Sequence, residues 1–69
     1  MNRDTTASAL EALQGATTDE AIRHGLTSAA YLVRCSNFRA ALLILANTTA
    51  PWDSEIIAAA ADMIEGVAA

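Results

Sequence analysis

The segment SNFRAALLILA, residues 36–46, constrains the fold most, because as a helix it is apolar around nearly its whole circumference. A helix of that kind is usually buried on every side. Its primary apolar face contains Phe38, Ala41, Leu42 and Leu45. Three further apolar residues lie on the opposite side, namely Ala40, Leu43 and Ile44. The other helices of this 69-residue chain can cover the primary face. Either a weak first helix or another protein covers the opposite side, and we expect another protein.

The segment from Thr17 to Cys35 has the start signal and the spacing of an amphipathic helix. Thr17 and Glu20 match a capping box, in which a hydroxyl and a carboxylate bind free backbone N–H groups at the helix start. The apolar face that follows contains Ile22, Leu26, Ala29, Ala30 and Val33. Gly25 weakens the middle of this helix, but it also allows a neighbouring helix to approach closely.

The remaining segments carry helical spacing as well, and no strand pattern is present. Residues 5–14 form a weak helix that ends at Gly15, and we expect residues 1–16 to be weakly helical or frayed. Ser36 is the predicted N-cap of the third helix. Pro51 breaks the chain before a last helix whose apolar face contains Ile56, Ile57, Ala60, Met63, Ile64 and Val67. The short connections favour an all-α fold, a single domain over residues 1–69, in which three to four helices form a small antiparallel bundle.

The composition indicates a core that is short of bulk. Alanine supplies 17 of the 69 residues, and it adds helix propensity but little buried area. Cys35 is the only cysteine, so the chain has no internal disulfide to compensate. A domain this small therefore suggests oligomerisation, or a partner protein that covers part of the apolar surface.

The charge pattern argues against nucleic acid and membrane surfaces as partners. The net charge is −4, there is no lysine, and the four arginines are scattered along the chain. A protein that binds nucleic acid or an anionic membrane surface needs clustered positive charge. The longest apolar run, residues 40–46, is far shorter than the roughly 20 residues that span a bilayer, so no membrane insertion is expected. The N-terminus lacks the apolar core of a signal peptide, which favours the cytoplasm.

No pattern of residues indicates catalysis, a cofactor site or a metal site. His24 and Cys35 lie three helical turns apart, about 16 Å, which is too far for a thiolate–imidazole pair. Asp62 and Glu65 are better explained as a solvated helix face than as an acid–base pair. Ser54 follows an aspartate, as the attachment serine of acyl carrier proteins does, but its position near the C-terminus favours a helix cap. We therefore expect a protein without enzymatic activity.

The predicted partner-binding surface combines apolar and aromatic residues that the bundle leaves over: Tyr31, Ala40, Leu43, Ile44 and Trp52. Tryptophan and tyrosine are enriched at binding hot spots. Two roles remain open for Trp52, which could pack the last helix onto the core or anchor a partner.

The second and third helices, with the proline that follows them, resemble a tetratricopeptide helical hairpin. In the third helix, Phe38, Ala41 and Leu45 match the aromatic, small and large positions of the motif, and Pro51 matches the proline that follows. Ala29 and Leu32 match the small and large positions of the preceding helix. The chain departs from the motif at Ser36, where glycine is usual, at Thr48, where a small residue is usual, and at Pro51, which comes two residues early. The resemblance covers about two-thirds of the chain.

The layout YLVRCSNFRAALLIL followed by proline, with the small size and acidity, also resembles the small helical chaperones of bacterial type III secretion systems. These chaperones pair with a second small helical protein and keep the needle subunit soluble in the cytoplasm. The resemblance implies an adaptor or co-chaperone that binds an apolar helix of another small helical protein or of a secretion substrate. The alternative is a structural or regulatory homodimer that buries the third helix at a two-fold interface.

Overall fold

The computed structural model describes residues 2–48 and 54–69, and all regular structure in these two ranges is helical. Helix α1 is Arg3–Ala12, α2 is Glu20–Arg34, α3 is Phe38–Thr48 and α4 is Ser54–Ala68. A 3-10 turn, Leu13–Ala16, continues α1. The predicted all-α bundle is therefore confirmed. The part of the chain predicted to be weakly helical forms α1 and this turn. In the described ranges, none of the helices is both long enough and apolar enough to cross a membrane.

Helix α2 begins two residues later than the predicted capping box. The N-cap is Asp19, whose Oδ1 accepts hydrogen bonds from the backbone N–H groups of Ala21 (2.9 Å) and Ile22 (3.1 Å). Thr17 instead accepts a hydrogen bond from the backbone N–H of Asp19 through its hydroxyl, at 3.1 Å. The capping prediction from Thr17 was wrong, because the aspartate satisfies two of the orphan N–H groups of the first turn by itself.

The connection between α2 and α3 is a helix stop built around Ser36. Ser36 has a φ of 62°. Its N–H donates to the carbonyl of Val33 at 2.9 Å, and the N–H of Asn37 donates to that of Leu32 at 2.8 Å. This pair of bonds is the Schellman arrangement, which usually places glycine at the left-handed position. Ser36 therefore ends α2, and the prediction that it caps α3 was wrong. Asn37 precedes α3, and its Oδ1 accepts a long bond from the N–H of Ala40, at 3.4 Å.

The core lies between the apolar faces predicted from the sequence. Its fully or almost fully buried residues on α2, α3 and α4 are Ile22, Leu26, Ala29, Ala30, Val33, Ala41, Leu45, Ile57, Ala60 and Ile64. Helix α1 adds Ala7 and Leu10. Phe38 and Leu42 pack against this cluster while partly exposed. The primary face of α3 is therefore an ordinary core face.

Helices α2 and α3 approach each other closely at Gly25. A Cβ atom at this position would lie 2.7 Å from Cγ2 and 2.8 Å from Oγ1 of Thr48. Since Gly25 is in the first half of α2 and Thr48 ends α3, the two helices are antiparallel neighbours. The close approach predicted at Gly25 is confirmed.

Candidate partner-binding surface

A shallow, mostly apolar groove of about 430 Å³ runs along the junction of α2 and α3 on the solvent side. We call it the α2–α3 groove. Its lining consists of Ala21, His24, Gly25 and Ser28 from α2, and Ile44, Asn47 and Thr48 from α3. On the α2 side, Ala21, Gly25 and Ser28 are spaced by four and three residues and therefore share one helix face. Because they are small, this face projects little into the groove.

The contact between Gly25 and Thr48 fixes the depth of the groove at one end. Gly25 is buried and Thr48 is half-buried. The hydroxyl of Thr48 donates to the carbonyl of Ile44 one turn earlier. This bond orients the threonine side chain, so the two helices are held together by a side chain of defined conformation.

One of the predicted partner-binding residues lines this groove, and helical spacing places three more near its lining residues on α2 and α3. Ile44 is half-buried and lines it. Ala40 lies one turn before Ile44 on the same face of α3 and is also half-buried. Tyr31, two turns after His24 on α2, is 66% exposed, and Leu43 is 57% exposed. The fifth residue, Trp52, lies outside the described residues.

The exposure of Tyr31 and Leu43 is the notable surface property of the bundle. Within residues 2–48 and 54–69 these are the two large apolar side chains that remain mostly accessible. Helix α1 packs mainly against α2 and α4, and it leaves Leu43 uncovered. Of the two covers considered for this side of α3, the first helix therefore does not cover Leu43.

Most of the α2 side of the groove was not predicted from the sequence. Gly25 was predicted to allow close helix packing and His24 was considered for chemistry, but neither was predicted to belong to a binding surface. The pattern that could have predicted this side of the groove is the spacing of small residues at 21, 25 and 28, which leaves one face of the amphipathic helix without large side chains. That pattern becomes informative only when the neighbouring helix is known.

A small polar recess of about 260 Å³ adjoins the groove at His24. Its other lining residues are Gln14, Glu20, Arg23 and Thr27. Gln14 donates from Nε2 to the hydroxyl of Thr27 at 2.8 Å, and that hydroxyl donates to the carbonyl of Arg23 at 3.1 Å. Glu20 and Arg23 carry opposite charges, so the recess does not present a strong field of one sign.

The best-defined ion pair lies away from the groove, between α1 and α2. Arg34 binds both carboxylate oxygens of Glu11, at 2.9 and 3.1 Å. The hydrogen bonds from Arg34, helped by its positive charge, hold the pKa of Glu11 below its ordinary value. The same contact raises the pKa of Arg34. Since both side chains are substantially exposed, the pair orients α1 on α2 more than it stabilises the fold.

The residues considered for chemistry are dispersed over the described surface. Cys35 is exposed at the end of α2, whereas His24 lines the groove. Asp62 and Glu65 are exposed on α4. Among the described residues, no three side chains of histidine, cysteine, aspartate or glutamate are grouped so that they could hold a metal ion.

The chain matches no protein-family model, and it has no match among curated proteins or solved structures. The groove, the two exposed apolar side chains beside it and the surrounding charges are therefore the basis for a functional conclusion.

Proposed function

We propose that this protein is a helical adaptor or co-chaperone whose α2–α3 groove binds an apolar helix of another protein. The observation that carries the proposal is the exposure of Leu43 and Tyr31 beside a groove with an apolar lining. Contiguous exposed apolar surface, unlike a single exposed apolar residue, marks interaction sites and binding grooves. A helix bound in such a groove contributes apolar side chains at intervals of three and four residues.

The groove suits a helix better than a small molecule. Its volume is within the range of small-molecule sites, but such sites enclose most of the ligand and carry a few convergent polar groups. This groove is open along the helix junction, and Gly25 and Thr48, which are in close contact, form part of its lining. Small residues in the wall allow a second backbone to approach, which is the way that helices pack closely against each other.

The setting that we propose is the bacterial cytoplasm, with a type III secretion co-chaperone as the specific role. This part rests on the resemblance of α2 and α3 to a tetratricopeptide hairpin and on the small, acidic character of the chain. The partner would be another small helical protein or the secretion substrate itself. No nucleic acid, cofactor or catalytic step enters the proposal.

Affinity capture from the native host, followed by binding to the purified partner, tests this function. The variant Leu43→Asp/Ile44→Asp places two charges at the groove and should weaken binding by more than tenfold, since each buried carboxylate is strongly unfavourable. The matched control is Ala46→Asp, which adds a charge to an exposed position of the same helix that does not line the groove. A partner that binds wild type and the double variant equally would disprove the proposal.

Sedimentation of the purified chain separates the adaptor from the homodimer. A concentration-dependent dimer that dissociates in the Leu43→Asp/Ile44→Asp variant would show that a second copy covers this surface, and it would replace the adaptor function. Circular dichroism of each variant must show wild-type helicity for either result to count.

A further inference from the structure

We infer that α1 is a displaceable strap, which opens from α2 and α4 as one unit while those two helices and α3 remain folded. The first reason is its length of 10 residues. Isolated helices shorter than about 12–15 residues are marginal in water. Helix α1 therefore depends on its packing against the rest of the bundle to remain helical.

That packing is modest compared with the packing of α2. The buried residues of α1 are Thr6, Ala7 and Leu10, of which only Leu10 has a large apolar side chain. Helix α2 buries six residues, and its large apolar ones include Ile22 and Leu26. Because the hydrophobic contribution scales with the apolar area removed from water, α1 is held much less strongly than α2.

The buried hydroxyl of Thr6 further weakens the closed position. The side chain of Thr6 is completely buried, and its Oγ1 has no hydrogen-bond partner among residues 2–48 and 54–69. A buried polar group without a partner loses its bonds to water without compensation. When α1 opens, this hydroxyl is hydrated again, so Thr6 favours the open state relative to an apolar residue of the same shape.

The perimeter of α1 consists of contacts that water can replace. Arg34 bridges to Glu11, and Arg3 donates to the hydroxyl of Ser36, both at exposed positions. Exposed pairs of this kind contribute little, because water competes for the same groups.

The turn that follows α1 can act as the hinge. None of the residues of Leu13–Ala16 is buried. No atom of the described residues lies within 4 Å of the place where a Cβ of Gly15 would be. Leu13 packs half-buried against the core and Gln14 binds the hydroxyl of Thr27, so an opening that bends the backbone at the exposed Gly15 and Ala16 also releases these two contacts. An open α1 would uncover apolar side chains of α2 and α4, giving the chain a second apolar surface distinct from the α2–α3 groove.

Native-state hydrogen exchange at increasing low concentrations of denaturant tests the strap in the wild-type chain. We expect protection factors for amides 7–12 at least tenfold lower than for amides 26–33 of α2, with a smaller dependence on denaturant. A lower slope would identify an opening that exposes only part of the surface released in global unfolding. Equal protection and equal slope in α1 and α2 would overturn the inference, since α1 would then open only when the whole chain unfolds.

A pair of substitutions tests the role assigned to the hydroxyl. Thr6→Val removes it while keeping the branched shape, and we expect α1 protection to rise about fivefold. The matched control, Thr5→Val, makes the same change at an exposed position one residue earlier and should leave protection nearly unchanged. No rise with Thr6→Val, or an equal rise with Thr5→Val, would contradict the assignment of the buried hydroxyl as the weak point of the strap.

Discussion

Replacing Gly25 by alanine tests the close approach of α2 and α3. In an open helix interior this change stabilises a protein by up to about 1 kcal/mol, because alanine is the better helix former. Here the new methyl group would lie 2.7 and 2.8 Å from the two γ atoms of Thr48, and 3.1 Å from its Cβ. Rotation of the threonine can move the γ atoms, but it breaks the hydrogen bond to Ile44 and does not move Cβ.

The expected result is a net loss of stability. Overpacking a fitted contact typically costs about 1–3 kcal/mol, which outweighs the gain in helix propensity. We therefore expect Gly25→Ala to lower the free energy of unfolding by about 1–2 kcal/mol. Urea denaturation followed by circular dichroism measures this difference, with an unchanged m-value showing that the transition remains comparable.

Two further variants separate steric overlap from other effects of alanine. Gly66→Ala is the matched control, because this exposed glycine of α4 has no atom from the described part of the chain within 4 Å of its Cβ position. The change should stabilise the fold by up to about 1 kcal/mol. Adding Thr48→Ala to Gly25→Ala removes both γ atoms and should recover most of the loss, leaving only the 3.1 Å contact. If Gly25→Ala were as stabilising as Gly66→Ala, the reasoning about the α2–α3 junction would be refuted.

Three other predictions concern the helix stop at Ser36, the ion pair of Glu11 and the burial of two leucines on α3. Ser36→Gly should raise the free energy of unfolding by about 1 kcal/mol in urea titrations, because glycine adopts the left-handed conformation without the Cβ penalty; a loss would contradict the φ of 62°. The lowered pKa of Glu11 means that its contact with Arg34 stabilises the fold above the ordinary glutamate range and that this stabilisation disappears as pH falls through the folded pKa. Glu11→Gln should therefore show a shallower fall of Tm in acid, and an unchanged profile would show that the pair is not formed in solution. Leu45→Ala should lower the free energy of unfolding by about 2–5 kcal/mol because the side chain is buried. Leu43→Ala should change it by less than about 0.5 kcal/mol because that side chain is exposed. Thermal denaturation compares the two variants, and equal losses would show that Leu43 is also buried.

The helical faces could be predicted from the sequence because they follow from local periodicity. The spacing of Ile22, Leu26 and Val33 on α2, and that of Ala41 and Leu45 on α3, predicts the residues that are buried. Helix boundaries were less predictable, since several polar residues near each end compete for the same backbone groups. Asp19 rather than Thr17 caps α2, and Ser36 ends that helix instead of starting the next.

The candidate surface could be predicted only in part. Residues 36–46 contain more apolar side chains than one core face can bury, and the sequence alone shows this. It therefore indicates that Leu43 and Ile44 are not covered by the other helices. The α2 wall of the groove could not be predicted, because it depends on which face of α2 lies beside α3. Nothing in local spacing distinguishes a small residue that lines a groove from one that is simply exposed.

By itself, then, the sequence determined the helical class, the core-facing side of each helix and the excess of apolar side chains on α3, since each depends on residues within a few turns. Tertiary structure decided where that excess is exposed. It placed α1 against α2 and α4 instead of over Leu43, and it brought Gly25 against Thr48. The physical reason is that exposure depends on contacts between residues far apart in the chain, and these are fixed only when all the helices pack together.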